Sequence, residues 1–139
     1  LLRNGSGLND TNRFSAALVV RLLDYIYRTR EIAYELIPSL GVSGATGTVR
    51  KRLTGDTVHH KVRAKTGTLT GVTALSGYVM SRDRVVVAFT VLVNALSVSP
   101  RRANKAVDEI IEALSSLPLH GGPTTWEPAS KLANTKSKP

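Results

Sequence analysis

Lys65, Thr66, Gly67 and Thr68 stand in one run, Arg63-Ala64-Lys65-Thr66-Gly67-Thr68-Leu69, within a stretch of strand-favouring residues. Side chains alternate along a strand, so Thr66 and Thr68 share one face and Lys65 and Gly67 the other. Two hydroxyls on one face can bind a carboxylate, and Lys65 adds a fixed positive charge beside them. Gly67 has no side chain, so substrate or backbone atoms can approach closely. On an edge strand the Thr68 N–H points outward and forms half of an oxyanion hole. This set suits acyl transfer on a peptide that ends in a free carboxylate. It lacks a nucleophile. Serine enzymes that use a Lys-Thr-Gly strand take theirs from a Ser-x-x-Lys and add a Ser-x-Asn. Neither pattern occurs in the 139 residues.

The elements that must position this run can be read in order. Residues 1–14 are polar and contain glycine, a loop pattern. Ser15 is suited to cap a helix over residues 16–28, with Leu18, Leu22, Tyr25 and Ile26 as its apolar stripe. A second short helix is expected over 31–37, stopped by Pro38. Residues 41–47 hold three glycines and read as a loop, and 48–53 as one basic helical turn. Strands are expected over 59–69, 73–81 and 84–94. The turns Thr70-Gly71 and Arg82-Asp83 make them antiparallel neighbours. The almost wholly apolar run from Val85 to Val93 predicts a strand covered on both faces. Ser99 and Pro100 open a last helix whose stripe is Ala103, Val107, Ile110, Leu114 and Leu117. The pattern is α+β, an antiparallel sheet flanked by helices. It ends at residue 117. Residues 118–139, rich in Pro, Gly, Thr and Lys, read as a flexible tail.

Composition bounds the partners. Hydrophobic residues make up 42% of the chain, enough for a core, but aromatics are only 5%, so aliphatic side chains must fill it. Nineteen Lys and Arg against ten Asp and Glu give a formal charge of +9, which favours anionic partners. The absence of cysteine excludes disulfides and thiolate metal sites. There is no apolar run of the roughly 20 residues a membrane helix needs and no visible signal peptide.

A second signature precedes the first. Asn4-Gly5-Ser6-Gly7-Leu8 is followed by Asn12-Arg13 and the helix opening Ser15-Ala16, and Leu75-Ser76-Gly77-Tyr78-Val79 follows the Lys-Thr-Gly run. In this order and spacing the chain, from about Arg3 to Leu117, resembles the D-alanyl-D-alanine carboxypeptidase/endopeptidase family, the class C low-molecular-mass penicillin-binding proteins. The resemblance covers only the C-terminal third of a family member. It implies the C-terminal part of a penicillin-binding/serine β-lactamase-like transpeptidase domain, with the nucleophile serine, its lysine and the Ser-x-Asn upstream. It further implies that Lys65 and Thr68 are catalytic and that Thr66, Gly67 and Thr68 bind substrate, with Ser6 and Leu8 close to the peptide. The implied ligands are peptidoglycan stem peptides and β-lactams, the implied setting periplasmic or extracytoplasmic, and no cofactor is implied. Departures occur where family members commonly read Asp-Gly-Ser-Gly-Leu-Ser-Arg. Asn4 replaces the Asp, and Asn9-Asp10 replace the Ser-Arg, so Asp10 would repel an acidic peptide side chain.

Other features carry less. Arg50, Lys51, Arg52, Lys61 and Arg63 form a basic cluster without interleaved aromatics, which disfavours nucleic acid. His59, His60 and His120 lack metal-ligand spacing. The run Gly44-Ala45-Thr46-Gly47-Thr48 lacks the Lys of a phosphate loop. Trp126 falls in the tail. Two alternatives to the enzyme remain at this point: a non-catalytic domain of the same ancestry that binds wall peptides or a protein, and a basic nucleic-acid-binding domain.

Overall fold

The computed structural model describes Gly5, residues 12–94 and residues 97–119. Ser6 and Leu8, His120, Trp126 and the tail from residue 120 lie outside the described residues.

Helix α1 spans Ala16–Arg28. Ser15 caps it, its Oγ accepting the Leu18 N–H at 3.2 Å. Thr29, in extended conformation, ends α1 and starts α2, Arg30–Ser39. Pro38 does not stop α2 at once but sits in its last turn, where it leaves one i→i−4 hydrogen bond unmade, and the helix ends one residue later at Ser39.

Four strands form one antiparallel sheet in the order β1-β2-β3-β4. They are β1 Gly41–Val42, β2 Val62–Leu69, β3 Val72–Met80 and β4 Val86–Val93. The short β1 lies in the stretch read from sequence as a loop. Two residues carry no periodicity to detect, and only pairing with Arg63 and Ala64 makes them a strand. Residues 59–61 belong to a turn rather than to β2, because His60 adopts φ 61°, outside the strand region. A single 3-10 turn, Gly47–Val49, replaces the expected basic helical turn. The hairpin turns fall where expected. Gly71 takes φ 71° between β2 and β3, a conformation glycine adopts without steric cost. Gly77 faces Ala64 across the β2–β3 ladder. A Cβ there would run into the Arg63 carbonyl oxygen and lie 2.7 Å from the Ala64 Cα, so the two strands approach this closely only with glycine.

The core lies on one face of the sheet. Val62 and Ala64 of β2, Leu75 and Val79 of β3 and Phe89 of β4 point to it, with Val49, Leu53 and Val58 closing one end. Helix α3, Pro100–Ser116, covers this face with Val107 and Ile111. Ser99 caps α3 and Pro100 opens it, as read from the sequence. Its buried line is Ala103, Val107, Ile111 and Ser115. Ile110, placed in the stripe from spacing, is exposed, since the stripe turns with the true i+4 rows. The Ser115 hydroxyl donates to the Met80 and Thr57 carbonyls and pins the end of α3 to the sheet.

The opposite face carries α1 and α2. Tyr78, one residue from Val79 and so on the other face, donates its hydroxyl to the Leu23 carbonyl of α1 at 2.8 Å. Only Leu23 and Ile26 of α1 are buried. Leu18, Leu22 and Tyr25, expected to be core, are 55%, 55% and 59% exposed. β4 is the last strand of the sheet, and most of its side chains are half-buried rather than covered on both faces.

Candidate active site

β2 is anchored at its start. Ser43 Oγ accepts the Val62 N–H at 3.2 Å and donates to the Val58 carbonyl at 2.6 Å, while the Ser43 N–H donates to the Val62 carbonyl at 3.0 Å. Both backbone groups of Val62 therefore point to the β1 side. The Lys61 carbonyl points the other way and accepts from the Met80 N–H of β3. With this parity, Ala64, Thr66 and Thr68 direct their N–H and carbonyl groups to the outer edge. β1 pairs only with Arg63 and Ala64. Beyond it, among the described residues, no strand pairs with Lys65 to Leu69 on that edge. The Thr68 N–H thus faces outward from an open edge.

The side chains follow the same alternation. Thr66 and Thr68 lie on the α3 face, in line with Val62 and Ala64, and Lys65 and Gly67 on the α1 face. The Lys65 ammonium curls over the rim and donates to the Thr66 carbonyl at 2.8 Å, so its charge sits at the edge where the Thr68 N–H emerges. Thr66 Oγ1 lies 2.7 Å from Thr48 Oγ1. Thr48 is a site neighbour that the sequence reading missed. No local pattern marks it, since the contact joins residues 18 apart through the 3-10 turn. Across the hairpin, Thr73 pairs with Thr68 and donates its hydroxyl to Asn104 Oδ1 at 2.9 Å. On the α1 face, Ser76, the partner of Lys65, shares a 2.6 Å hydrogen bond with Thr90. The sheet around the run is held on both faces while its edge is open. Carbonyls and N–H groups on such an edge can take up an extended peptide as an additional strand.

Lys65, Thr66, Gly67 and Thr68 are therefore brought together on one rim, whereas Ser6 and Leu8 fall outside the described residues. The basic cluster divides. Lys51 and Arg52 turn to α3, while Lys61 and Arg63 line a hollow with Tyr27 and Met80. His59 and His60 stack on each other with ring centres 4.1 Å apart. Among the described residues no group of three His, Asp or Glu is placed to hold a metal. Among them, too, no helix is long and apolar enough to cross a membrane. Burial, then the negative charge of Asp24 and the neighbouring Tyr27, raises the Tyr78 phenol from its ordinary value of 10.0 to about 12.

Known proteins resemble this chain in sequence and in fold. The chain is 37% identical over 102 residues to a D-alanyl-D-alanine carboxypeptidase of Actinomadura sp. (strain R39), a match that takes in 70% of this chain and 19% of that protein. The fold superposes on the crystal structure of penicillin-binding protein 4 (dacB) from Haemophilus influenzae with a TM-score of 0.75 and 26% identity, over 84% of this chain and 28% of that one. The same H. influenzae protein complexed with a β-lactam matches with a TM-score of 0.69 and 26% identity, over 80% of this chain and 27% of that one. The match thus takes in between about a fifth and just over a quarter of the length of these relatives. The model of the D-Ala-D-Ala carboxypeptidase 3 (S13) family matches residues 1–116. With that match over most of its length, and with the sheet and helices of a penicillin-binding protein, the chain belongs to the D-Ala-D-Ala carboxypeptidase 3 (S13) family.

Proposed function

We propose that residues 1–117 supply the Lys-Thr-Gly strand of a serine-type D-Ala-D-Ala carboxypeptidase, or endopeptidase, acting on peptidoglycan peptides outside the cytoplasm. The observation that carries this reading is the open outer edge of β2, with the Thr68 N–H facing out beside the Lys65 ammonium, in a chain of this family. The nucleophile comes from a Ser-x-x-Lys helix in an upstream segment of the same protein. Two features support that partner: relatives about three to four times as long, and the exposed stripe Leu18, Leu22 and Tyr25 on α1.

In this reading the serine Oγ adds to the carbonyl carbon of the penultimate D-Ala. The carbonyl oxygen takes the negative charge and is met by the Thr68 N–H and a second N–H from the upstream segment. The C–N bond then breaks as the leaving nitrogen takes up the proton given up by the serine, the terminal D-Ala departs, and water hydrolyses the acyl ester to free the serine. The Thr66 and Thr68 hydroxyls hold the terminal carboxylate, with Lys65 supplying the balancing charge and Gly67 the space. Ser6 and Leu8 contact the peptide. A β-lactam, bound by the H. influenzae relative, would acylate the same serine and be held by the same strand.

The test is Thr68→Pro in the full protein. Proline removes the edge N–H and is tolerated where that N–H faces outward. Release of D-Ala should fall about 10²–10³-fold in kcat, as for other oxyanion donors. Unchanged turnover would remove Thr68 from the mechanism. Peptide binding without turnover in the unmodified protein would assign the non-catalytic reading instead.

A further inference from the structure

A basic groove of about 680 Å³ lies between the segment after the 3-10 turn and the start of α3. Lys51 lines one side, and Arg101, Arg102 and Lys105 the other. A fifth cation, Arg52, is already neutralised by Asp108, its Nη2 donating to Oδ1 at 2.7 Å. The remaining four have no carboxylate partner among the described residues. These four side chains are exposed, so their mutual repulsion is softened by water and salt but keeps one sign. Four like charges face one hollow, and Arg101 and Arg102 occupy the first turn of a helix that has no acidic residue there. The helix macrodipole has the same sign at that end. An anion in the groove relieves both repulsions.

The lining also narrows the class of anion. No aromatic side chain is present to stack nucleic-acid bases, and no aliphatic side chain to enter a bilayer. The walls are fixed from outside the groove. Asn104 is held by Thr73 through its side chain and by Arg52 through its carbonyl. Besides its cations the lining holds Ser99, Asn104 and the Asp108 carboxylate that pairs with Arg52, so the concave groove keeps four uncompensated positive charges and reads charge along a chain. We propose that it binds a flexible phosphate polymer that carries no bases. None of the four cations belongs to the Lys65–Thr68 rim, so this proposal stands or falls apart from the peptidase reading, which D-Ala release measures separately.

The experiment titrates the full protein with inorganic polyphosphate at increasing salt. The logarithm of the affinity should fall against the logarithm of salt with a slope of about −3, roughly 0.7 for each of four cations. The triple change Lys51→Glu, Arg101→Glu and Lys105→Glu should weaken binding more than about tenfold and flatten that slope. The milder pair Lys51→Gln and Lys105→Gln, which keeps the side-chain stems, should move both readouts the same way to a smaller extent. Arg30→Glu, Lys61→Glu and Arg82→Glu change the net charge equally at exposed positions outside the groove, and should leave most of the affinity. Equal loss in the two triple variants would show attraction to overall charge and overturn the site. So would tighter groove-dependent binding of single-stranded DNA or of phosphatidylglycerol vesicles than of polyphosphate.

Discussion

The two faces of the sheet are built from similar materials and end in different states. On the α3 face, Val62, Ala64, Leu75, Val79 and Phe89 meet Val107 and Ile111, and that set is buried. On the α1 face, Leu23 and Ile26 are covered, but Leu18, Leu22 and Tyr25 remain open, and Tyr27 and Tyr34 are exposed as well. Both helices are strongly amphipathic in sequence. The difference is that α3 has its counter-surface within this chain and α1 has only part of one. A side chain gains about 1.5–3 kcal/mol from full burial, so a row of open aliphatic and aromatic residues marks a surface made to be covered. The open edge of β2 and the outer edge of β4 lie at opposite ends of the sheet, and among the described residues no strand covers either. One region explains why the chain folds as it does; the other explains why we assign its chemistry only in combination with an upstream segment.

The sharpest break of this contrast is functional. The 139-residue chain alone should neither release D-Ala from a D-Ala-D-Ala peptide nor be labelled by a fluorescent penicillin, whereas the full protein should do both. Stoichiometric labelling of the isolated chain would reveal a nucleophile within it and defeat the companion idea. A monodisperse folded monomer of the chain alone would count equally against the need for a covering segment.

Stability should separate the faces next. Ile111→Ala, in the closed face, should cost about 2–5 kcal/mol in denaturant unfolding of the full protein. Leu22→Ala should lie within about 0.5 kcal/mol in the isolated chain, where the side chain is already exposed, but should cost about 2–5 kcal/mol in the full protein. An equally small effect in both contexts would show that α1 stays bare.

A smaller loss is expected where the closed face is tied by charge. Asp108→Asn weakens the fork from Arg52, whose side chain is 15% exposed against 18% for Asp108, and should cost about 1–3 kcal/mol. No change in unfolding midpoint would make the pair a spectator.

The smallest effect is a pH dependence. Tyr78 is 5% exposed, and its raised value means that the neutral phenol is favoured in the folded state. The stability it adds is complete below the ordinary tyrosine value near 10 and is lost as pH rises to about 12. Tyr78→Phe should flatten the fall in stability over that window, while losing about 1 kcal/mol at neutral pH with the bond to the Leu23 carbonyl. An unaltered alkaline profile would place the sensitivity elsewhere.

Much of this molecule is determined locally. Ser15, Ser99 and Pro100 set the starts of α1 and α3 because caps act within one turn. Thr70-Gly71 and Arg82-Asp83 set the hairpins because turn geometry depends on the residues in the turn. The alternation of Lys65, Thr66, Gly67 and Thr68 follows once they lie on a strand, and the run itself was legible as a candidate site. Tertiary structure decided the rest. It made a strand of Gly41 and Val42, which pair with β2 but show no pattern of their own. It left the edge beyond Ala64 open, brought Thr48 to Thr66 and chose Ile111 over Ile110. It also withheld burial from Leu18, Leu22 and Tyr25. A periodic stripe states that a helix has an apolar side. Whether that side is filled depends on which surfaces the rest of the chain brings against it, and that is a property of long-range contacts rather than of spacing.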